Sequence, residues 1–194
     1  ASLRASLPAC ANASRLIGGA LSADEIERGY CAGMAMGAPT ITGQLKPFGF
    51  TGSSATRVFP TELDKPFPEA EPVLRHLAGA YRLGIIANQN AGAESRLEKF
   101  GLLRYFDVIV ASAEAGLVKP DPAIFTLALA RAGCKPERAA MIGDRLDNDI
   151  FPAKALGFTT VRLLQGYFRV QKPQSLAHEP DFTIDSLTQL LYLF

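Results

Sequence analysis

The stretch MIGDRLDNDIFPAKALG, residues 141–157, places a glycine and several carboxylates directly after an apolar run. The run that ends before Gly143 predicts a buried strand, and the pattern after the last carboxylate predicts a helix. Asp144, Asp147 and Asp149 therefore crowd together at the carboxyl end of a strand, where like charges repel one another. A cation among them would remove this repulsion, and hard cations such as Mg²⁺ bind carboxylate oxygens.

The alternation of strand and helix continues in both directions from this stretch. The predicted strands are 81–88, 106–112, 139–144, 158–164 and 181–184. The predicted helices are 71–80, 93–100 followed by Gly101, 122–132 followed by Gly133, 150–156 followed by Gly157, and a last helix capped by Ser186 and Gln189. Strands that alternate with helices predict an α/β fold, in which a Rossmann-like parallel sheet has helices on both faces.

Composition and charge are those of an ordinary globular protein. The chain has 194 residues, of which 48% are hydrophobic and 20% charged, and its net charge is +1. With no basic run, neither nucleic acid nor an anionic membrane is predicted as a partner, and we recognise no signal peptide or membrane span. Cys10, Cys31 and Cys134 lack metal-binding spacing, which predicts reduced thiols and a cytoplasmic protein. The sequence leaves a homo-oligomer open.

The first third of the chain differs in texture from the rest. Residues 1–60 are rich in Ala, Gly, Ser and Thr, and Ser22 with Glu25 has the spacing of a capping box ahead of a helical pattern. A proline-rich connection follows. We therefore predict two parts, a mainly helical region at 1–60 and a Rossmann-like core at 61–194.

Three candidate groups lie where an open parallel sheet binds ligands, beyond the carboxyl ends of its strands. Asn88, followed by Gln89, ends the apolar run LGIIAN, and the free N–H groups of the next helix start would face a bound anion. Lys119, in AGLVKPDP, adds a positive charge ahead of another helix. Asp144 would hold an oxygen-seeking cation. A cation, a lysine and a helix start at one place predict a phosphate-binding site.

This constellation resembles the haloacid dehalogenase-like (HAD) hydrolase superfamily over residues 60–194. The resemblance rests on three motifs in their order, RLGIIANQN, GLVKPDPAIF and AAMIGDRLDNDIFPAKALGFTTV. It implies that Asp144 is a direct Mg²⁺ ligand, that Asp149 supports the metal through water or from further away, and that Lys119 neutralises phosphate and nucleophile. Asn88 stands where the superfamily usually has Ser or Thr, and its amide can donate to a phosphate oxygen as a hydroxyl does.

One motif of the superfamily is missing from this chain. Its reaction uses a nucleophilic aspartate in a D-x-D-x-[TV] motif on a first, central strand, and this aspartate becomes an aspartyl phosphate. That strand would lie between the strands that carry Asn88 and Asp144. We therefore expect residues before Ala1 to supply both strand and nucleophile, with residues 1–60 as a helical cap. The alternative is that another segment, such as TITGQL, or a neighbouring chain fills the gap.

Two classes of function follow from these observations. The leading hypothesis is a Mg²⁺-dependent hydrolase of phosphoric esters that acts on a small phosphorylated metabolite. The second is a non-catalytic binding or interaction protein that keeps the phosphate site without the nucleophile. A dehalogenase is disfavoured because those relatives need no metal and have a different fourth motif. A nicotinamide-binding protein is disfavoured because no G-x-G-x-x-G opens the first helix.

Each candidate residue also has a purely structural interpretation. Asp149 is suited to cap the helix that follows it. Asn88 is suited to a turn at a strand end, and a single lysine such as Lys119 is usually a solvated surface charge. Asp147 fits an ordinary loop residue.

Overall fold

A computed structural model of the chain describes residues 65–194 and, of Tyr167, only the main chain. The predicted cap at 1–60, its capping box and the TITGQL segment lie outside the described residues and stay predictions. Residues Pro68–Leu164 and Pro173–Phe194 form one unit. The described residues 65–67 and 165–172 belong to the other unit, and they include a 3₁₀ turn at Tyr167–Val170.

Short strands and helices alternate along the main unit, as the sequence pattern predicts. The strands are β1 Gly84–Ala87, β2 Val108–Ala111, β3 Ala140–Gly143, β4 Thr159–Leu163 and β5 Phe182–Ile184. The α-helices are α1 Ala70–Leu77, α2 Ala93–Lys99, α3 Ser112–Ala115, α4 Pro122–Ala132 and α5 Phe151–Ala155. Short 3₁₀ helices occupy Leu103–Tyr105, Pro136–Arg138, Leu176–His178 and Leu187–Tyr192, and a π-helical turn occupies Leu146–Ile150.

The strands form two parallel groups. β1 pairs with β2, and β3, β4 and β5 pair in that order. Within residues 65–194, β1 and β3 do not pair with each other, so each presents one edge without a strand partner from the described part of the chain. The predicted parallel α/β fold is confirmed. The central strand expected from the sequence stays a prediction.

Two apolar clusters cover opposite faces of the strands. The first joins both strand groups through α4, since Ile124 and Phe125 of this helix belong to one cluster with residues of β2, β3 and α5. Phe125 and Phe158 meet edge to face, with ring centroids 6.2 Å apart.

The second cluster packs α1 against β4 and β5 through Val73, Leu77, Val161, Leu163 and Ile184. Because Val161 and Leu163 face α1, the alternating positions of β4 face the other side.

The start and end signals in the sequence predict α4 well. Asp121 caps it by accepting a hydrogen bond from the N–H of Ala123 at 2.8 Å, and Gly133 ends it with a φ of 60°. Two other predictions need correction. Ser186 and Gln189 do form a capping box, but the segment they cap is a 3₁₀ helix. The helix predicted from residue 150 begins with a π-helical turn before α5.

Candidate active site

Lys119 and Asp149 form a buried ion pair beyond the end of β3. The Lys119 Nζ donates to Asp149 Oδ1 at 2.6 Å, and the two side chains are 11% and 6% exposed. Asp149 Oδ2 accepts from the main-chain N–H of Arg145 at 3.1 Å, so the π-helical turn is closed by the same carboxylate. Asp149 therefore does not act as the helix cap that was one sequence interpretation, since α5 begins at Phe151, its N-cap residue is Ile150, and no side chain caps it.

Gly143, the last residue of β3, lies directly against Asp149. A Cβ at this position would be 2.4 Å from Asp149 Cβ and 2.7 Å from Asp149 Oδ2. No side chain fits at such separations, and the absence of a Cβ is what lets the strand and the carboxylate approach each other. The Gly-Asp pair of the sequence motif is thus explained by packing as well as by chemistry.

Asp144 follows β3 directly, and its carboxyl has a perturbed pKa. Burial raises the pKa of Asp144 to about 6, and the negative charge of Asp149 adds to this rise. Lys119 and Arg145 act in the opposite direction and lower it in part. The protein alone therefore leaves negative charge at Asp144 incompletely compensated, which is the condition that favours a bound cation.

The side chain of Asn88 reaches the main chain of Lys119. Its Nδ2 donates to the Lys119 carbonyl oxygen at 2.8 Å, and its Oδ1 accepts from the Lys119 N–H at 2.7 Å. Asn88 lies directly after β1, so this pair of hydrogen bonds joins the end of β1 to the segment ahead of α4. The structure thus brings Asn88, Lys119 and Asp149 together. A phosphate contact by the Asn88 amide stays a prediction.

Gln89 is held by residues of two helices, Ser112 at the start of α3 and Arg96 of α2. Its N–H donates to Ser112 Oγ at 3.0 Å, and the same hydroxyl donates back to its carbonyl oxygen at 3.1 Å. The Gln89 side-chain oxygen accepts from Arg96, whose guanidinium also donates to the Asn90 and Ala91 carbonyls. The loop after β1 is therefore ordered by its own contacts, and the predicted phosphate contact of Gln89 stays a prediction.

Two arginines add positive charge beside the carboxylates. Arg145 pairs with Asp147, its Nε lying 3.1 Å from Asp147 Oδ1, which gives Asp147 a structural partner. Arg162 lies on β4 beside Gly143 in the parallel register and is 6% exposed. Burial lowers the pKa of Arg162, and the charge of Asp144 raises it. The sequence analysis missed Arg162, although a charged residue inside the apolar run FTTVRLL was a signal that could have found it.

The donor set for the implied metal is small. Within the part of the chain that the structure describes, no three His, Cys, Asp or Glu side chains are placed together to hold a metal ion. Asp144 and Asp149 lie beside each other, and Mg²⁺ binds proteins through one or two carboxylates while it keeps several waters. Asp149 already accepts from Lys119 and Arg145, so the residues present fit Asp144 as the direct ligand and Asp149 as its support.

The family model for haloacid dehalogenase-like hydrolases matches residues 50–157 of this chain. The chain belongs to the haloacid dehalogenase-like hydrolase family, as the motif resemblance predicts.

Two of the individual relatives are named as a phosphatase and a nucleotidase. The chain is 38% identical over 129 residues to the glyceraldehyde 3-phosphate phosphatase of Methanopyrus kandleri, covering 66% of this chain and 55% of that protein. It is 38% identical over 132 residues to the pyrimidine 5'-nucleotidase YjjG of Escherichia coli, covering 66% and 56%. The chain thus spans slightly over half the length of these curated relatives.

A solved structure shows the same fold. A predicted phosphoglycolate phosphatase from Haemophilus somnus 129pt superposes with a TM-score of 0.75 at 20% identity, covering 99% of this chain and 91% of that one. Among the described residues of the present chain, no helix has the length and apolar character needed to cross a membrane.

Proposed function

We propose that the protein is a Mg²⁺-dependent hydrolase of phosphoric esters that acts on a small phosphorylated metabolite. The observation that carries this proposal is the junction of Lys119 with Asp149 at 2.6 Å beside Asp144, beyond the end of β3. A buried ammonium next to a carboxylate of raised pKa supplies one group for an anion and one for a cation. Phosphoryl transfer depends mainly on such positioning and charge compensation.

Each side chain has a distinct task in this proposal. Lys119 would neutralise negative charge on the phosphate and on the attacking carboxylate. Asp144 would bind Mg²⁺ directly, and Asp149 would hold both Lys119 and the turn that presents Asp144. When bound, the metal would polarise the phosphoryl oxygens and offset their charge.

The nucleophile in this proposal is an aspartate that lies outside the chain as given. Its carboxylate oxygen would bond to phosphorus while the ester P–O bond breaks, and the second aspartate of the D-x-D motif would give its proton to the leaving alkoxide. Water would then lose a proton to that second aspartate and attack phosphorus, and the P–O bond to the first aspartate would break to release inorganic phosphate and the free carboxylate. Within residues 65–194, β1 and β3 each have one edge without a strand partner, which supports this proposal, because the carboxyl end of a strand paired with both would lie near Lys119 and Asp144.

The relatives support the substrate class. The names of the Methanopyrus kandleri and Escherichia coli proteins describe a phosphorylated three-carbon sugar and a nucleoside monophosphate as substrates. Both are small phosphate monoesters, and the chemistry they share is the phosphoryl group. We therefore propose a small phosphorylated metabolite without choosing between them.

Hydrolysis of a generic aryl phosphate tests this function. The chain, and a version extended upstream by its natural sequence, would be assayed with Mg²⁺, with a chelator, and as Asp144→Asn. We expect turnover from the extended version, which carries the nucleophile; this turnover should require Mg²⁺ and be lost when Asp144→Asn is made in that version. Activity that neither change affects would remove the metal from the mechanism.

A second candidate function is a phosphate- and metal-binding or interaction protein without turnover. The printed sequence favours it because its one Asp-x-Asp, residues 147–149, lies inside the metal motif and is followed by Ile150. This candidate predicts that phosphate or Mg²⁺ binds in calorimetry while the upstream-extended version shows no hydrolysis. Turnover by the extended version would exclude it.

A further inference from the structure

We propose that Asn88 is a positioning residue that acts through Lys119, by fixing the main chain from which the lysine side chain extends. The proposal rests on the function proposed for Lys119, since positioning matters only if the ammonium serves the site. It differs from the phosphate contact predicted for Asn88 from sequence, because here the amide serves the protein main chain.

The side-chain amide of Asn88 pairs with the main-chain N–H and carbonyl of Lys119. Asn88 uses its donor on the Lys119 carbonyl at 2.8 Å and its acceptor on the Lys119 N–H at 2.7 Å. A primary amide is the side-chain group that offers a donor and an acceptor side by side. An aspartate would keep the acceptor and lose the donor, an alanine would lose both, and a glutamine would be one methylene longer.

These bonds connect the two strand groups of the main unit. The Lys119 main chain is joined to the end of β1 by Asn88, and its ammonium is joined to Asp149 after β3. In the described part of the chain, β1 and β3 share no strand hydrogen bonds. Lys119 is therefore a polar bridge between the two strand groups, with Asn88 at one end and Asp149 at the other.

The hydrogen bonds of the neighbouring residues Val118 and Asp121 do not reach β1. The Asp121 N–H donates to the Val118 carbonyl at 3.0 Å in a turn that encloses Lys119, and the Asp121 side chain caps α4. Neither bond joins Lys119 to β1. Loss of the Asn88 amide would free the Lys119 main chain from β1 while α4 stays capped, and the ammonium would leave Asp149 more often.

Acylation of lysines followed by mass spectrometry tests this directly and needs no turnover. The chain would be labelled without Mg²⁺ as wild type, Asn88→Ala, Asn88→Asp and Asn90→Ala, with the exposed Lys135 as internal reference. We expect labelling of Lys119 to rise roughly fivefold or more in Asn88→Ala, as loss of about two net hydrogen bonds allows. The rise should be smaller in Asn88→Asp and absent in Asn90→Ala.

Lys154 reports whether a variant has simply unfolded, because it pairs with Asp181 at 2.9 Å far along the chain from Asn88. If Asn88→Ala raises the labelling of Lys154 as well, Asn88→Asp decides, since it retains one of the two bonds. Labelling of Lys119 that stays at the wild-type rate in a folded variant overturns the proposal. Because the readout is made without substrate, this outcome is distinct from a failure of the hydrolase proposal.

A second readout separates positioning from phosphate contact. Inorganic phosphate would be titrated by calorimetry into Lys119→Ala and into the double variant Asn88→Ala/Lys119→Ala, with Mg²⁺ present. Positioning through Lys119 predicts that the second substitution adds no further loss of affinity. An added loss of about tenfold would show that the amide contacts phosphate by itself and would contradict the proposal.

Discussion

Gly143 and Asp149 are packed so closely that a Cβ on the glycine would lie 2.4 Å from the Asp149 Cβ. The same Asp149 binds Lys119 through one oxygen and the Arg145 main chain through the other. The close approach that Gly143 allows therefore positions the Asp149 carboxylate and the Lys119 ammonium bound to it. The end of β3, the π-helical turn and the Lys119–Asp149 pair form one packed arrangement.

Gly143→Ala should displace Asp149 and weaken both of its hydrogen bonds. We expect the free energy of unfolding in urea to fall by about 1–3 kcal/mol, as for other overpacked positions. Gly84→Ala is the matched control, because its Cβ would meet its nearest atom at an ordinary 3.5 Å. Equal stability of the two variants would show that Asp149 moves aside without loss.

Lys119→Met should leave the carboxylate of Asp149 buried without its cation. Removal of one partner of a buried pair typically lowers the free energy of unfolding by about 3–5 kcal/mol. Lys154→Met removes the cation of a pair whose side chains are 32% and 36% exposed, where losses are about 0–1 kcal/mol. Chemical denaturation compares the two variants, and similar losses would contradict the buried character of the Lys119 pair.

The raised pKa of Asp144 predicts a fall of stability with pH. Burial and Asp149 raise this pKa from 3.8 to about 6, so the folded protein binds the proton more tightly than the unfolded chain does. The free energy of unfolding should therefore decrease between about pH 4 and pH 6 and then level off, by up to about 3 kcal/mol. Asp144→Asn should remove this decrease. Parallel pH profiles for both proteins would contradict the shift.

Mg²⁺ should oppose this effect because it binds the deprotonated carboxylate. At pH 7.5, saturating Mg²⁺ at 100 times its dissociation constant should stabilise the wild type by about 2.7 kcal/mol. Thermal melts of wild type and Asp144→Asn with and without Mg²⁺ measure this. A stabilisation that survives in Asp144→Asn would place the ion elsewhere.

The sequence predicts the periodic part of the fold well. α4 has its cap, its proline start and its glycine end in the expected places, because each signal acts over a few residues. The π-helical turn before α5 was not predictable, since it arises where Asp149 bonds back to Arg145 under the constraint of Gly143. The same packing also positions the ion pair of Asp149 with Lys119, two residues that are 30 positions apart in the chain.

The residues of the candidate site were likewise predictable from the sequence only in part. Motif spacing predicted Asn88, Lys119, Asp144 and Asp149 as site residues, and three of them are joined by hydrogen bonds. The partner of the Asn88 amide was not predictable, because only the fold brings the Lys119 main chain to the end of β1. Arg162 was missed for a similar reason, since its relation to Asp144 depends on the register of β3 and β4.

We propose that Asp144 and Lys119 form one site for a divalent cation and a phosphate. Calorimetric titration of inorganic phosphate into the chain, with and without Mg²⁺ and in Asp144→Asn, measures this coupling. We expect phosphate affinity to fall by about tenfold or more when either Mg²⁺ or the Asp144 carboxylate is removed. Phosphate that binds equally well in all three conditions would show that the two residues do not share a site.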